Sequence, residues 1–153
     1  MRVQVNIFSQ YPVIHEQKVA WGDMDAFGHV NNVIYYRYIE SARIGYFDEL
    51  NIFDYDVFSV VASNQCTYLK PVFYPDVLKI ATRIEEMRQT AIRMHYVLYS
   101  ETQQQIVATA EAVIVFVDKK EMKKALIPNQ VRESIIGLEQ TVNHDLILLN
   151  NKK

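Results

Sequence analysis

The sequence is poor in several things, and each shortage removes a class of function. It has one cysteine, Cys66, in 153 residues. An intramolecular disulfide is therefore impossible, and no paired-cysteine metal knuckle can form. Only four glycines are present, Gly22, Gly28, Gly45 and Gly137. They match neither a phosphate-binding loop nor a dinucleotide fingerprint, and the GxSxG nucleophile elbow and the HExxH helix are missing too. Sixteen Lys and Arg stand against 18 Asp and Glu, so no broad basic face exists to bind nucleic acid. No apolar run approaches the roughly 20 residues that span a bilayer, and the first ten residues do not resemble a secretion signal. A reducing, cytoplasmic setting is the expectation, with neither membrane nor nucleic acid as partner. With 50% apolar and 22% charged residues, a chain of this length can bury a full core, and one domain over 1–153 is expected.

The patterning then separates one helix from a set of strands. Residues 13–21 alternate loosely and predict a first strand; residues 22–31 predict a loop. The segment 33–50 has no proline and few strand formers. Its polar residues Arg37, Glu40, Ser41, Arg43 and Asp48 form a narrow stripe at helical spacing, which predicts a helix buried on most sides. Asn31 or Asn32 would cap its start and Asn51 its end. From residue 55 the period falls to two. Strands are predicted over 57–69, 76–87, 91–100 and 106–117, with a hairpin turn at Arg88-Gln89-Thr90. Ala108, Ala110 and Ala112 share a face on which a helix could lie close. Pro128 begins a short second helix, and the apolar run 146–149 suggests packing on the sheet. The four long strands suggest an antiparallel meander, with the first strand at an edge or inserted. A helix with so little polar surface needs a sheet curved around it, hence an α+β architecture.

Two of the four glycines fall in one stretch, Trp21-Gly22-Asp23-Met24-Asp25-Ala26-Phe27-Gly28-His29, immediately before the helix. The first turn of a helix has N–H groups without partners, and these carry partial positive charge. A carbonyl oxygen placed there would be polarised and a developing oxyanion stabilised. Asp25 lies a few residues upstream, where its carboxylate could attack such a carbonyl or activate water to do so. The layout suits acyl transfer to water. A carboxylate in that position is otherwise an ordinary cap or turn residue.

The run 21–32 followed by Tyr35-Tyr36-Arg37-Tyr38-Ile39-Glu40-Ser41-Ala42-Arg43 resembles the signature of hotdog-fold acyl-CoA thioesterases, and is similar to their 4-hydroxybenzoyl-CoA thioesterase branch. The resemblance implies a hotdog fold, a curved antiparallel five-stranded sheet wrapped around one long central helix. It implies hydrolysis of an acyl-CoA without metal or other cofactor, by a homo-oligomer, dimer or tetramer, with active sites at the subunit interface. By that likeness Asp25 is the catalytic carboxylate, nucleophile or general base. The Asn32 amide is the oxyanion donor, and Gly28 keeps the loop close to the thioester. Arg88 matches a turn arginine that contributes to coenzyme A binding, although Gln89 and Thr90 stand where further basic residues are expected. The portion His29-Val30-Asn31-Asn32 also resembles fatty acyl-carrier-protein thioesterases of the plant type, but Phe27 replaces the asparagine of that network. Acyl binding without turnover, and a hydratase using His29 with Glu40, are the other readings.

Several residues have both plain and functional readings. His29 could orient water, or bond only to its loop. Asn31 sits beside the helix start. Asp23 suits a structural role in the loop better than catalysis. Glu40 suits helix-surface ion pairs with Arg37 and Arg43. Tyr35, Tyr36 and Tyr38 read as core or interface, and Ser63, Asn64 and Gln65 face either solvent or a neighbouring site. The lysines at 119, 120, 123 and 124 read as a solvated turn, and Cys66 as a packed strand residue.

Overall fold

The computed structural model describes residues 6–149. Strand β1 (Val13–Lys18) is followed by the loop, by helix α1 (Ile34–Glu49), and by strands β2 (Val57–Tyr68), β3 (Val77–Met87), β4 (Ala91–Ser100) and β5 (Gln105–Asp118). Helix α2 (Asn129–Gln140) and the two-residue strand β6 (Ile147–Leu148) follow. The sheet order is β1-β3-β4-β5-β2, antiparallel throughout, with β6 added in parallel to β3 at Glu86 and Met87. β6 thus extends the edge along β3 beyond the point where β1 ends.

This corrects one expectation. β3, β4 and β5 form a meander, but β2 pairs with β5 rather than with β3. The connection 69–76 contains Pro71 and Pro75 and is too long for a tight hairpin turn. Crossing from β2 to β3 covers three strand spacings, roughly 14 Å. Eight residues can reach about 27 Å, so the chain crosses the end of the sheet without strain.

Helix α1 lies against one face of the sheet. Tyr35, Tyr38, Ile39, Ala42, Tyr46 and Phe47 are buried in one cluster with Leu78, Ile80 and Ile84 of β3, Met94, Tyr96 and Leu98 of β4, and Ala108, Ala110 and Ala112 of β5. The small side chains of β5 give the helix room, as their spacing predicts. Asn51 ends it in the left-handed conformation, φ 52°, which asparagine tolerates better than most residues. The helix is not buried on most sides, however. Val33, Arg37, Glu40, Ile44 and Asp48 are exposed, while Arg43 is buried. The solvent-facing stripe is therefore offset by a fraction of a turn from the one that the polar residues suggest: a long arginine can fold inward along its apolar stem.

Glu139 of α2 is fully buried and joins three elements. Its Oε2 accepts from the Tyr46 hydroxyl of α1 at 2.6 Å and from the Ile84 N–H of β3 at 2.9 Å, and its Oε1 lies 2.7 Å from His144 Nδ1. On the other face of the sheet, Tyr11 packs on Ala81 and Val97, with Ile7 and Phe8 against them.

Candidate active site

The loop before α1 is a tight hairpin fastened from both sides. Met24 and Val30 form an antiparallel bridge. The Asp25 N–H donates to the His29 carbonyl at 2.8 Å, and the Gly28 N–H to the Asp25 carbonyl at 3.2 Å. Gly28 turns the chain with φ 88°, a region that side chains other than glycine rarely enter. Below, the Val30 N–H donates to the Val72 carbonyl and the Asn31 N–H to the Asp23 carbonyl. The Tyr38 hydroxyl of α1 donates to Asp23 Oδ2 at 2.5 Å. Asp23 is thus structural, as expected, but its carboxylate grips the helix rather than the loop backbone.

Asp25 is oriented by its own turn. Oδ1 accepts from the Phe27 N–H at 2.8 Å and from the His29 N–H at 3.4 Å. Oδ2 lies 3.5 Å from His29 Nδ1, and the His29 and Asp25 side chains remain 38% and 25% exposed. The acid is therefore pinned by one oxygen and reachable at the other.

The helix start is arranged just as specifically. Asn31 bonds to its own turn: its Oδ1 accepts from the Val33 N–H at 3.0 Å, and its carbonyl from the Ile34 N–H at 2.9 Å. Asn31 is thus used in shaping the turn into α1. The Asn32 carbonyl accepts from the Tyr68 hydroxyl at 2.8 Å. Among the described residues no group accepts from the Asn32 N–H.

Asp25, His29 and Asn32 line one cleft of about 350 Å³ with Tyr35, Tyr68 and Lys70. Tyr35 and Tyr68 meet edge to face, ring centroids 4.8 Å apart. Burial pushes the Tyr35 phenol up to about 12, aided by the nearby Cys66, and burial first, then the same thiol, raises Tyr68. Both hydroxyls stay protonated at neutral pH, and the Tyr68 O–H is spent on the Asn32 carbonyl. Tyr68 and Lys70 escape the sequence reading. Their only signal is their place at the end of β2, and it points here only once β2 is known to lie at the sheet edge beside the start of α1.

Gly28 does not line this cleft. It borders an adjoining depression of about 460 Å³, formed with Trp21, Met24 and Tyr74, to which Asp25 also contributes. Arg88 is absent from both. It stands at the far end of β3, a strand of 11 residues and so roughly 35 Å long. There its Nε donates to Glu86 Oε2 at 2.5 Å. Burial works to raise Glu86, but hydrogen bonds from Arg88 and Arg93 outweigh it and hold the carboxyl below its usual value. Within one subunit Arg88 cannot reach the Asp25 cleft. Among the described residues no cluster of three or more His, Cys, Asp or Glu is close enough to hold a metal ion.

A family model described as the thioesterase-like superfamily matches residues 19–135, from the buried Val19 before the loop to Ile135 in α2. The chain belongs to the thioesterase-like superfamily. This thioesterase-family chain is 27% identical over 129 residues to the long-chain acyl-CoA thioesterase FadM of Escherichia coli, covering 82% of this chain and 96% of that one. A thioesterase from Thermus thermophilus, solved in complex with coenzyme A and Zn, superposes with a TM-score of 0.75 at 28% identity, covering 86% of this chain and 97% of the other. The DHNA-CoA thioesterase of Staphylococcus aureus shares the fold, with a TM-score of 0.76 at 18% identity over 88% of this chain and 97% of that one. The curved sheet around α1 is the hotdog fold of such thioesterases. Among the described residues no helix is long and apolar enough to cross a membrane.

Proposed function

We propose that the protein hydrolyses acyl-CoA thioesters to a free carboxylic acid and coenzyme A. The observation that carries this reading is the placement of Asp25 and the open Asn32 N–H on one cleft. A thioester carbonyl seated there directs its oxygen to the Asn32 amide, where the positive end of α1 adds to the stabilisation of the oxyanion. Asp25 either attacks the carbonyl carbon or takes a proton from the water that does. The carbon–sulfur bond then breaks, water supplies the hydroxyl of the acid, and the thiolate leaves with a proton. His29, beside Asp25 Oδ2, orients the attacking water. The FadM relative carries the name of a long-chain acyl-CoA thioesterase, and the apolar and aromatic residues Val30, Tyr35, Tyr68 and Leu69 of the cleft suit the carbonyl end of an acyl group.

The active unit is a homo-oligomer. β2 is the edge strand beside β5, and nearly all of its residues are exposed. An exposed edge with Phe58, Val60, Val61 and Tyr68 open to solvent is a template for pairing, and a second copy laid along it pairs the free backbone groups of the strand. Arg88 can then contribute to coenzyme A binding only across a subunit boundary.

The test is a panel of acyl-CoAs with thiol release as readout. Asp25→Asn lowers kcat by about 100-fold or more, the loss of one acid–base or nucleophilic group. Unchanged turnover removes Asp25 from the mechanism. Oxygen-18 found in the Asp25 side chain after a single turnover in labelled water identifies direct attack, because a mixed anhydride opened at the Asp25 carbonyl takes its new oxygen from water.

A further inference from the structure

Among the described residues, Asp25 alone lines both the cleft beside Asn32 and the adjoining depression of about 460 Å³. The two hollows differ in chemistry. The cleft carries His29, Asn32, two phenols and Lys70. The depression is walled by Trp21, Met24, Ala26 and Tyr74, and Asp25 is the one charged residue among the described residues that line it.

Its walls are fixed through their backbones. Trp21 begins a short turn in which the Asp23 N–H donates to the Ala20 carbonyl at 3.0 Å and the Met24 N–H to the Trp21 carbonyl at 3.2 Å. Tyr74 lies on the crossing from β2 to β3, between two tethers. On one side of it the Val30 N–H donates to the Val72 carbonyl at 2.8 Å; on the other the Val19 N–H donates to the Asp76 carbonyl at 3.0 Å. The rings themselves stay open: Trp21 keeps 75% of its surface and Tyr74 48%. Among the described residues neither ring meets another aromatic ring. Large apolar side chains grouped in the open mark a surface that binds something, and this group adjoins the carboxylate on which the chemistry turns.

We propose that the depression receives the acyl chain of the thioester, an uncharged apolar chain lying on Trp21, Met24 and Tyr74. The assignment rests on the thioesterase reading of the Asp25 cleft and adds to it the direction in which the substrate lies. The carbonyl carbon of a thioester bears two arms, the acyl chain and the sulfur. With the carbonyl held between Asp25 and the Asn32 N–H, the arms leave in different directions. The carrier arm is rich in amides and leads to phosphate, so it suits the hydrogen-bonding cleft and the Lys70 ammonium. The acyl arm has no such groups and suits the aromatic wall. Asp25, shared by both hollows, repels a chain that ends in a second carboxylate. The volume is within the range of small-molecule sites.

Trp21 is the sole tryptophan of the chain, so its fluorescence reads the depression directly. S-octyl-coenzyme A and S-ethyl-coenzyme A are thioethers with no carbonyl to hydrolyse, and they report binding without turnover. In calorimetric titration the octyl compound binds at least about tenfold more tightly than the ethyl compound, since each methylene withdrawn from water is worth about fourfold. At saturation the octyl compound moves the Trp21 emission to shorter wavelength and the ethyl compound does not. Trp21→Ala, at an exposed position, brings the two affinities to within about threefold, and Trp21→Phe keeps them apart. Identical emission with the two thioethers, an unaltered affinity gap in Trp21→Ala, or failure of both compounds to bind overturns the assignment. So does ligand-free emission that lies at short wavelength and lengthens on dilution, because a second copy then covers the indole. Thiol release from octanoyl-coenzyme A is scored separately. A chain-length-dependent Trp21 shift without turnover removes hydrolysis and leaves the acyl site standing, whereas turnover with a silent Trp21 removes the acyl site and leaves hydrolysis.

Discussion

β4 and β2 belong to the same sheet, are similarly rich in branched and aromatic residues, and have opposite surroundings. β4 lies in the middle, with Ile92, Met94, Tyr96 and Leu98 buried against α1 and even Val97 on the other face nearly covered by Tyr11. β2 lies at the edge, paired only with β5, and leaves Phe58, Val60 and Val61 open. The same residue types thus stabilise the fold of one chain in β4 and stay open to solvent in β2. Alternation along a strand reveals that it is a strand; it does not reveal what covers it.

The contrast is sharpest in core truncation. Leu98→Ala costs roughly 2–5 kcal/mol in urea unfolding, the range for a leucine removed from a packed interior. Val60→Ala, at a position 37% exposed, stays within about 0.5 kcal/mol in the isolated chain. Equal losses at the two positions, measured at high dilution, erase the distinction. Next in size is Ser63→Lys, near the middle of β2 and exposed. If two copies pair antiparallel along this edge, the new charges face each other, and like charges directly opposite repel. Sedimentation then shows a reduced mass and thioester hydrolysis falls about tenfold, with the melting curve of the monomer unaltered. An unaltered mass places the interface elsewhere.

The smallest effect belongs to the covered face of β4. His95 Nδ1 lies 2.8 Å from the Tyr11 hydroxyl, and burial holds the imidazole below its usual 6.5, with Arg83 and Arg93 pushing the same way and Glu85 and Glu111 against it. Between the lowered value and 6.5 the unfolded chain binds a proton that the folded chain refuses. Stability is therefore fully present above pH 6.5 and is lost as pH falls through the lowered value. A thermal melt at pH 5.5 lies below that at pH 7.5, and His95→Phe shrinks the difference by about 1–2 °C. A difference of the same size in the variant removes His95 as its source.

Much of this architecture is legible in the chain. The period change near residue 55, the asparagine at 51 and the turn at 88–90 depend on local chemistry, and local chemistry is what a sequence carries. The loop glycines and Asp25 are legible for the same reason, since a hairpin of seven residues from Met24 to Val30 is fixed by its own hydrogen bonds. The place of β2 is not, because pairing with β5 rather than β3 is settled by a crossing that no turn residue announces. Tyr68 and Lys70 stay hidden for that reason, and Arg43 because its charge conceals its apolar stem. Arg88 is recognisable by likeness, yet only the length of β3 reveals that it cannot serve its own subunit's cleft.

Glu139 has a consequence for how the molecule comes apart. A carboxylate wholly out of water and bonded to a helix, a strand and a following histidine cannot lose one tether without leaving charge stranded in oil-like surroundings. Lifting α2 away on its own therefore costs nearly as much as dismantling α1 and β3 with it. Helix α2 is a keystone of the packed interior rather than an appendage.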